Sequence, residues 1–597
     1  VEKHPYVIGD FVWTAMDYLG EAGLAHSLLS GQKDSPCFFL LWIFDFRLVA
    51  ASVVQHLSAM RKLLAVVLVN TSCAWIAAAG PVSPDPAGTW VLATAPAFRT
   101  VLQPLIEHRR NEGFRVVVIE TTNVLTPDQI LAENAAPLRE RISELKGASR
   151  TFVLLAGAPA VGDRTNAVQL ALPPLPGTTA RMKGEPSDFG YCLPHTNGAP
   201  RIAVGRFPAL TLEEMRAMVR KTLDLEQGSS VGEWQRRVLL LVGDTGGGPL
   251  ADMVVESVFS QWLKELDSCW TVDVVFASPA SRFYLPQRAA HDRFLGQLEQ
   301  GSLFSLFLGH SAPEGMWLAG NSVVSREEWA AAHMARGAGV FFSCGCWANR
   351  FQGGTNQGYG VTAMRNPKGP VAVIGPNGES YSFAGELTTV GLARCLKRVP
   401  FPSRLGDYWT AAQRELAVGE MDSSRFALYD MFDGSQGKVP LAVQRIEHLE
   451  MWMLLGDPAL RLPLPVPDIV LEAPESVHAG GSVVVKGILP ARSAGTTVLL
   501  TLERPLDSRP IGLEPLPVFS RTNRASVAQT AMANHRKANE FVLASAEVES
   551  SGGVLSNRIE VPAQIPWSNL VIRASATLTN ELLTGVTRVS VSCGSEQ

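Results

Sequence analysis

This sequence has no large excess of either charge. Its 597 residues carry 52 Lys plus Arg against 56 Asp plus Glu, a formal net charge of −4, so there is no basic surplus of the kind that nucleic-acid binding uses. Cysteine is sparse: the eight residues at 37, 73, 192, 269, 344, 346, 395 and 593 are not spaced as a disulfide scaffold. The single C-x-C, Cys344 to Cys346, lacks the partner ligands a zinc site wants. No dense Asp loop with calcium-ligand spacing occurs. The glycines of GDTGGGP (243–249) do not follow G-x-G-x-x-G, which argues against a dinucleotide enzyme. What is present is 46% hydrophobic and 18% charged residues, the composition of a folded globular chain long enough for several domains.

One apolar run stands out near the start. MRKLLAVVLVNTSCAWIAAAG (60–80) has Met60, the basic pair Arg61 and Lys62, an apolar stretch and a small-residue end, the layout of a secretory signal peptide. Asn70 and Thr71 interrupt it, and it is short for a membrane span. The expectation is a natural start at Met60 and a bacterial protein that is secreted or held at the cell surface, with no integral membrane segment in its mature form. Upstream, EKHPYVIGDFVWTAMDYLGEAG (2–23) resembles a short segment of family 2 glycoside hydrolases, the beta-galactosidase type. A catalytic barrel needs about 250 residues, and Asp10, Asp17 and Glu21 cannot be assigned as the carboxylate pair that glycoside hydrolysis requires. Residues 1–59 therefore read as a fused fragment or mis-start, and glycoside hydrolysis is the weakest of the functional alternatives.

From Trp90 onward strands and helices alternate. TWVLATAP (89–96), FRVVVIET (114–121) and TFVLLAG (151–157) read as strands, separated by helices at 98–113 and 126–147, the second opened by Thr126 with Gln129 three residues later. After a Pro- and Gly-rich region (158–200) come a strand and amphipathic helix at 201–228. A second alternating block then runs from 236 to MWMLLGDPALRLPLP (451–465). Alternation of this kind implies α/β architecture, a parallel sheet covered on both faces. Beyond the Pro463–Pro467 linker, SVVVKGIL, TTVLLTLE, NEFVLASAEV and LVIRASATL are strand-like with no convincing helix, so 468–597 is expected to be an immunoglobulin-like β-sandwich.

Two strand ends carry reactive side chains. SLFLGHSAPEGMW presents His310 and GVFFSCGCWANRF presents Cys344 and Cys346, with SREEWAAAHMARGAG between them as a crossover. In an open parallel sheet, adjacent strands joined by a crossover place their carboxyl ends side by side, where such sheets carry their sites. A thiol beside an imidazole, with backbone N–H donors aimed at the developing oxyanion, is the apparatus of acyl transfer. Gly309 and Gly345 leave room for a substrate backbone, and their neighbourhood supplies the expected oxyanion donors. A cysteine after VFFS is also commonly a small buried hydrophobe. Cys344 and Cys346 compete, Cys344 lying deeper in the strand and Cys346 at its end.

FLGHSAPEGMW and VFFSCGCWANRF resemble the Gly-His and small-residue-Cys motifs of the gingipain-like cysteine peptidases, peptidase family C25 in the clan of caspases and legumains. GEPSDFGY, AVGRFPALTLEEMRAMVRKTLDLE and LLGDPALRL match in order, over about 88–465. The resemblance implies a caspase-like catalytic domain in two subdomains (88–230 and 231–465) with Cys346 as nucleophile and His310 as its partner. Two departures stand out: Gly345 where the family usually has Ala before the nucleophile, and Ser311 where a Gly commonly follows the His. The family's third acid falls nearest Thr245, with Asp244 beside it as a candidate orienting acid. Asp252, near an S1 acid of Arg-specific members, suggests Arg or Lys at P1. No cofactor is required, although structural calcium is a family feature. The resemblance thus implies a secreted cysteine endopeptidase acting on protein or peptide substrates. The alternative is an inactive or self-processing scaffold of the same fold that serves surface binding or secretion.

Overall fold

The computed structural model describes residues 87–592 apart from 146–149, 245–247, 267–268, 320–321, 335–336, 352–356, 399–403, 421–426, 428–438, 466 and 494. The fragment at 1–59, the signal-like run at 60–80 and Thr245 lie outside the described residues.

Apolar strands of the first block form β1 (Thr89–Thr94), β2 (Arg115–Glu120), β3 (Thr151–Ala156) and β4 (Ala203–Phe207). Those of the second form β5 (Arg237–Val242), β6 (Thr271–Phe276), β7 (Ser302–Leu308), β8 (Ala338–Ser343), β9 (Ala372–Pro376) and β10 (Trp452–Leu455). All ten join one sheet in the order β2-β1-β3-β4-β10-β9-β8-β7-β5-β6. The two blocks meet through β10, which runs parallel to β4 and antiparallel to β9. Burial follows the strand period of two: Leu239 and Leu241 of β5 enter one hydrophobic core, Val238, Leu240 and Val242 the other. Both faces are covered, as a buried parallel sheet requires.

Three local expectations differ from what forms. The helix read over 126–147 is two, α1 (Pro127–Leu131) and α2 (Ala136–Leu145). Thr126 and Gln129 make the expected capping box, but Glu133 turns left-handed at φ 52° and Pro137 restarts the chain in a new first turn. The crossover from β7 to β8 contains a small antiparallel sheet (Ser311–Ala312, Gly315–Ala319, Ser322–Ser325) and only a six-residue helix, Arg326–Ala331. The C-terminal domain contains the helix that the sequence reading missed.

That domain is a β-sandwich. A three-stranded sheet, Val470–Glu472, Ser482–Ile488 and Val554–Glu560, accompanies a five-stranded one ordered Ser476–His478, Leu582–Ser592, Asn569–Thr577, Thr497–Glu503, Val542–Glu549. Val483, Val485, Leu500, Leu502, Ile572 and Leu583 are among its buried core residues. The unforeseen helix, Arg524–Asn539, is inserted between two of its strands. Asn539 both accepts from the Val274 N–H (2.8 Å) and donates to the Val274 carbonyl (3.0 Å), so one side-chain amide satisfies both backbone groups of a residue on the edge strand β6. His535 adds a bond to the Phe283 carbonyl at 3.0 Å. Among the described residues no helix is long and apolar enough to cross a membrane.

Candidate active site

The strands that precede the three sequence candidates are adjacent and parallel. Ser343 of β8 pairs with Phe307 of β7, and Leu308 of β7 with Val242 of β5. Cys346 and His310 each stand three residues beyond a paired position, and Asp244 stands two beyond Val242, opposite His310. The three candidates therefore follow the carboxyl ends of three adjacent parallel strands, the location that an open sheet favours for its site. Asp244 is half-buried, and its N–H donates to the Leu318 carbonyl at 2.5 Å, while the Trp317 N–H donates to the His310 carbonyl at 2.9 Å. The small sheet after His310 therefore folds back over Asp244 and ties the two strand ends together.

The two cysteines have different surroundings. Cys344 turns to Ser382–Arg398, where its sulfur lies 3.0 Å from the Thr389 hydroxyl, and burial pushes its thiol up to about 12. It is a packing residue. Cys346 lies beyond the strand, half-buried, with its sulfur 3.8 Å from the Ser380 carbonyl. Burial also raises the Cys346 thiol above its ordinary value; Glu379 adds to the rise and Arg181 opposes it. The resting sulfur is accordingly a thiol rather than a preformed thiolate. His310 is exposed at the rim.

The turn around Cys346 is closely constrained. Trp347, immediately after the cysteine, has φ 62°, a left-handed conformation that costs a bulky residue energy and that functional turns tend to hold. Its N–H donates to the Gly378 carbonyl at 2.9 Å. The Gly345 N–H is engaged by the Ser343 hydroxyl at 3.2 Å, which takes it out of the expected set of oxyanion donors. A Cβ on Gly309 would come within 3.0 Å of the Phe307 ring and 3.2 Å of the Gly243 backbone. Glycine is needed there for close approach.

The two departures from the family motif meet in space. A Cβ at Gly345 would lie 2.1 Å from the Ser311 hydroxyl and 2.8 Å from the Ser311 Cβ. The side-chain volume absent at 345 is therefore filled from 311, and neither departure is independent of the other.

Sequence reading missed the wall facing Cys346. Residues 377–381 are held from behind by Leu441–Met451. Buried His448 accepts the Tyr381 N–H at 2.8 Å and donates from Nδ1 to the Gln444 carbonyl at 2.7 Å, which fixes its tautomer. Arg181 lies over the Tyr381 ring at 3.9 Å, bonds the buried Glu447 at 2.9 Å and donates to the Glu379 carbonyl at 3.1 Å. Glu450 accepts from four donors, the N–H and hydroxyl groups of Thr178 and Thr179. The contacts of Arg181 and Glu450 span about 200 to 270 positions of sequence and leave no local signature. Asp252, 7% exposed, accepts a hydrogen bond from the Ser278 hydroxyl, beyond the end of β6.

Acid should weaken this wall. Burial, with a smaller contribution from Arg181, lowers His448 to about 4. The unfolded chain therefore takes up a proton near pH 6.5 that the folded chain refuses until about pH 4, and stability falls as pH drops through that window. The expected loss from this group is roughly 3 kcal/mol. Unfolding free energies measured between pH 7 and 4 should show the decline, and it should be shallower in His448→Gln; an unchanged slope in that variant would assign the acid limb to other groups.

His108, Glu112 and Glu226 bring ligand atoms within 4.8 Å of one another, a group that could hold a metal ion. Arg109 is bonded to Glu226 at 2.8 Å, to Glu112 at 2.5 Å and to Asp457 at 2.8 Å within the same cluster.

Comparison with known proteins matches residues 83–463 to the model of peptidase family C25. Among solved structures, the Arg-specific cysteine proteinase gingipain R (RGPB) is 13% identical, covering 86% of this chain and 100% of its own, with a TM-score of 0.46. The complex of Porphyromonas gingivalis RgpB pro- and mature domains is 13% identical, covering 85% and 100%, also at 0.46. No curated protein matches the sequence.

Proposed function

Because the chain belongs to peptidase family C25, and is thereby a cysteine-type endopeptidase acting on protein or peptide substrates, we propose that Cys346 is its nucleophile and His310 its proton carrier. The observation that supports this assignment is the register of β8 and β7, which are adjacent and parallel up to Ser343 and Phe307, three residues before Cys346 and His310. The Cys346 sulfur attacks the scissile carbonyl and its proton passes to His310. The C–N bond breaks as His310 protonates the leaving amine, and water then hydrolyses the thioester and restores the thiol. Asp244, one strand further on, orients His310. The backbone N–H groups of Cys346 and Gly309 serve the oxyanion, in place of the Gly345 N–H.

The division into subdomains 88–230 and 231–465 and a sandwich from 468 fits this reading, with the site in the second subdomain. The finer localisation, secreted or at the bacterial cell surface, rests on the signal-like layout of 60–80, whose alternative is a short buried helix. Association with a secretion system has the sandwich as its candidate surface. No cofactor enters the chemistry. Calcium would be a poor occupant of the His108 cluster, since a hard cation prefers an all-oxygen shell and the Arg109 guanidinium already takes the carboxylates.

A preference for Arg or Lys at P1 is supported by two carboxylates. Asp252 is buried near the start of Gly248–Glu265, and Glu379 is exposed beside the residue whose carbonyl faces Cys346. Arg181 does not oppose a basic substrate, because Glu447 meets its charge. A panel of peptide substrates differing only at P1 should give kcat/KM for Arg or Lys at least 100-fold above Ala, on the scale of a buried charged pair. Asp252→Asn or Glu379→Gln should erase that ratio, and the variant that does so identifies the recognising group. A flat panel would remove basic specificity and leave the endopeptidase reading intact.

A further inference from the structure

Beneath Cys346 lies a line of hydroxyls whose proton directions are fully determined. Ser311 Oγ donates to the Cys346 carbonyl at 2.7 Å. Its single proton is then spent, so it accepts from the Tyr359 hydroxyl at 3.2 Å. With the phenolic proton also spent, the 2.6 Å contact between Ser343 Oγ and Tyr359 Oη has Ser343 as donor. Ser343 Oγ accepts the Gly345 N–H at 3.2 Å. The line starts on the N–H of the residue before the nucleophile and ends on the nucleophile's own carbonyl. Ser343, Tyr359 and Ser311 come from β8, from Tyr359–Arg365 and from the strand end that carries His310. Tyr359 is fully buried, as is Ser343, and Ser311 is 9% exposed, so water does not substitute for a broken link.

We infer that Tyr359 is a positioning residue for the reaction: through Ser343 and Ser311 its hydroxyl holds the Cys346 peptide with the carbonyl turned inward. With the bond from the Trp347 N–H to the Gly378 carbonyl, this fixes the peptide that follows Cys346, and with it the backbone from which the sulfur projects, against the strain at Trp347. The inference rests on Cys346 as nucleophile. Because each hydroxyl has one proton and the links are in series, breaking any one releases the same carbonyl, and the effects of two breaks do not add.

The test measures kcat, KM, melting temperature and stoichiometric labelling of the sulfur by a peptidyl acyloxymethyl ketone in Tyr359→Phe, Ser311→Ala and the double variant. Expected are a 10- to 100-fold fall in kcat in each single variant, on the scale of a catalytic group displaced by a fraction of an ångström, with KM within about twofold, as expected for a transition-state effect. The double variant should be no slower than the slower single one. Full labelling of Cys346 at a reduced rate would accompany this. Unchanged kcat in Ser311→Ala, which releases the carbonyl directly and removes only one small group, overturns the inference even if Tyr359→Phe misfolds; so do multiplying effects in the double variant. Absence of labelling at Cys346 in the unaltered protein defeats the nucleophile assignment instead, and is read separately.

Discussion

Replacing Cys346 by Ala should lower kcat/KM by about 10⁴-fold or more, the scale of losing a covalent nucleophile, whereas Cys344→Ala should stay within a few-fold of the unaltered protein. The contrast follows from surroundings, since the two residues share composition and lie on the same short segment. Cys344 is packed against Thr389, with burial holding its thiol at about 12, far from any thiolate at neutral pH. Removing one sulfur there leaves a small cavity that costs about 1 kcal/mol of stability. Cys346 follows the end of a strand adjacent to the one that leads to His310, outside the strand and beside the 377–381 wall. Hydrolysis of a peptide substrate that carries the preferred P1 residue, measured with a melting curve for each variant, separates chemistry from folding. Comparable losses in both variants would mean that the segment acts structurally and that neither thiol is the nucleophile.

Gly345→Ala is the second large effect expected. The added methyl would stand 2.1 Å from the Ser311 hydroxyl and 2.8 Å from the Phe307 ring, distances at which something must move. Overpacking of this kind costs about 1–3 kcal/mol, and the turn that gives way carries Cys346. A displacement near 1 Å would lower kcat/KM by roughly 100-fold. Adding Ser311→Gly removes the closest contact and should recover most of the lost stability, with activity rising no higher than that of Ser311→Ala because Phe307 still crowds the methyl and the bond from Ser311 to the Cys346 carbonyl is gone. A substitution that is damaging alone and tolerated with its partner is the signature of one shared volume. If Gly345→Ala keeps full activity, or the double variant is no better than the single, the two departures from the family motif are unrelated.

The sequence carried the sheet and the candidates because both depend on local patterns. Apolar strands such as VFFS and LFSLFL announce themselves, and once two parallel strands are adjacent their ends fall level. The capping box at Thr126 was equally local. What escaped the reading depends on contacts between distant segments. Arg181 and His448 reach the wall beside Cys346 from segments far apart in the sequence, and nothing near either residue marks it. Tyr359 carries no signal in the sequence because its proposed role depends on its hydroxyl meeting Ser343 and Ser311. The helix Arg524–Asn539 was missed because its buried side is made mainly of small and polar residues, Ala531, Asn534, His535 and Ala538, and lacks a stripe of large apolar ones. Gly345 and Ser311 were each visible as an oddity, and their compensation appeared only with the distance between them.

The most direct test of the central claim is to inactivate the protein with a peptidyl-Arg acyloxymethyl ketone and to map the adduct by peptide mass, in the unaltered chain, Cys346→Ala and His310→Ala. A single adduct on Cys346, absent from Cys346→Ala and formed far more slowly in His310→Ala, is the predicted result. Adducts on Cys344, or labelling of Cys346 only by a general alkylating agent and at the same rate with and without His310, would contradict it and leave a peptidase-like scaffold without a working pair.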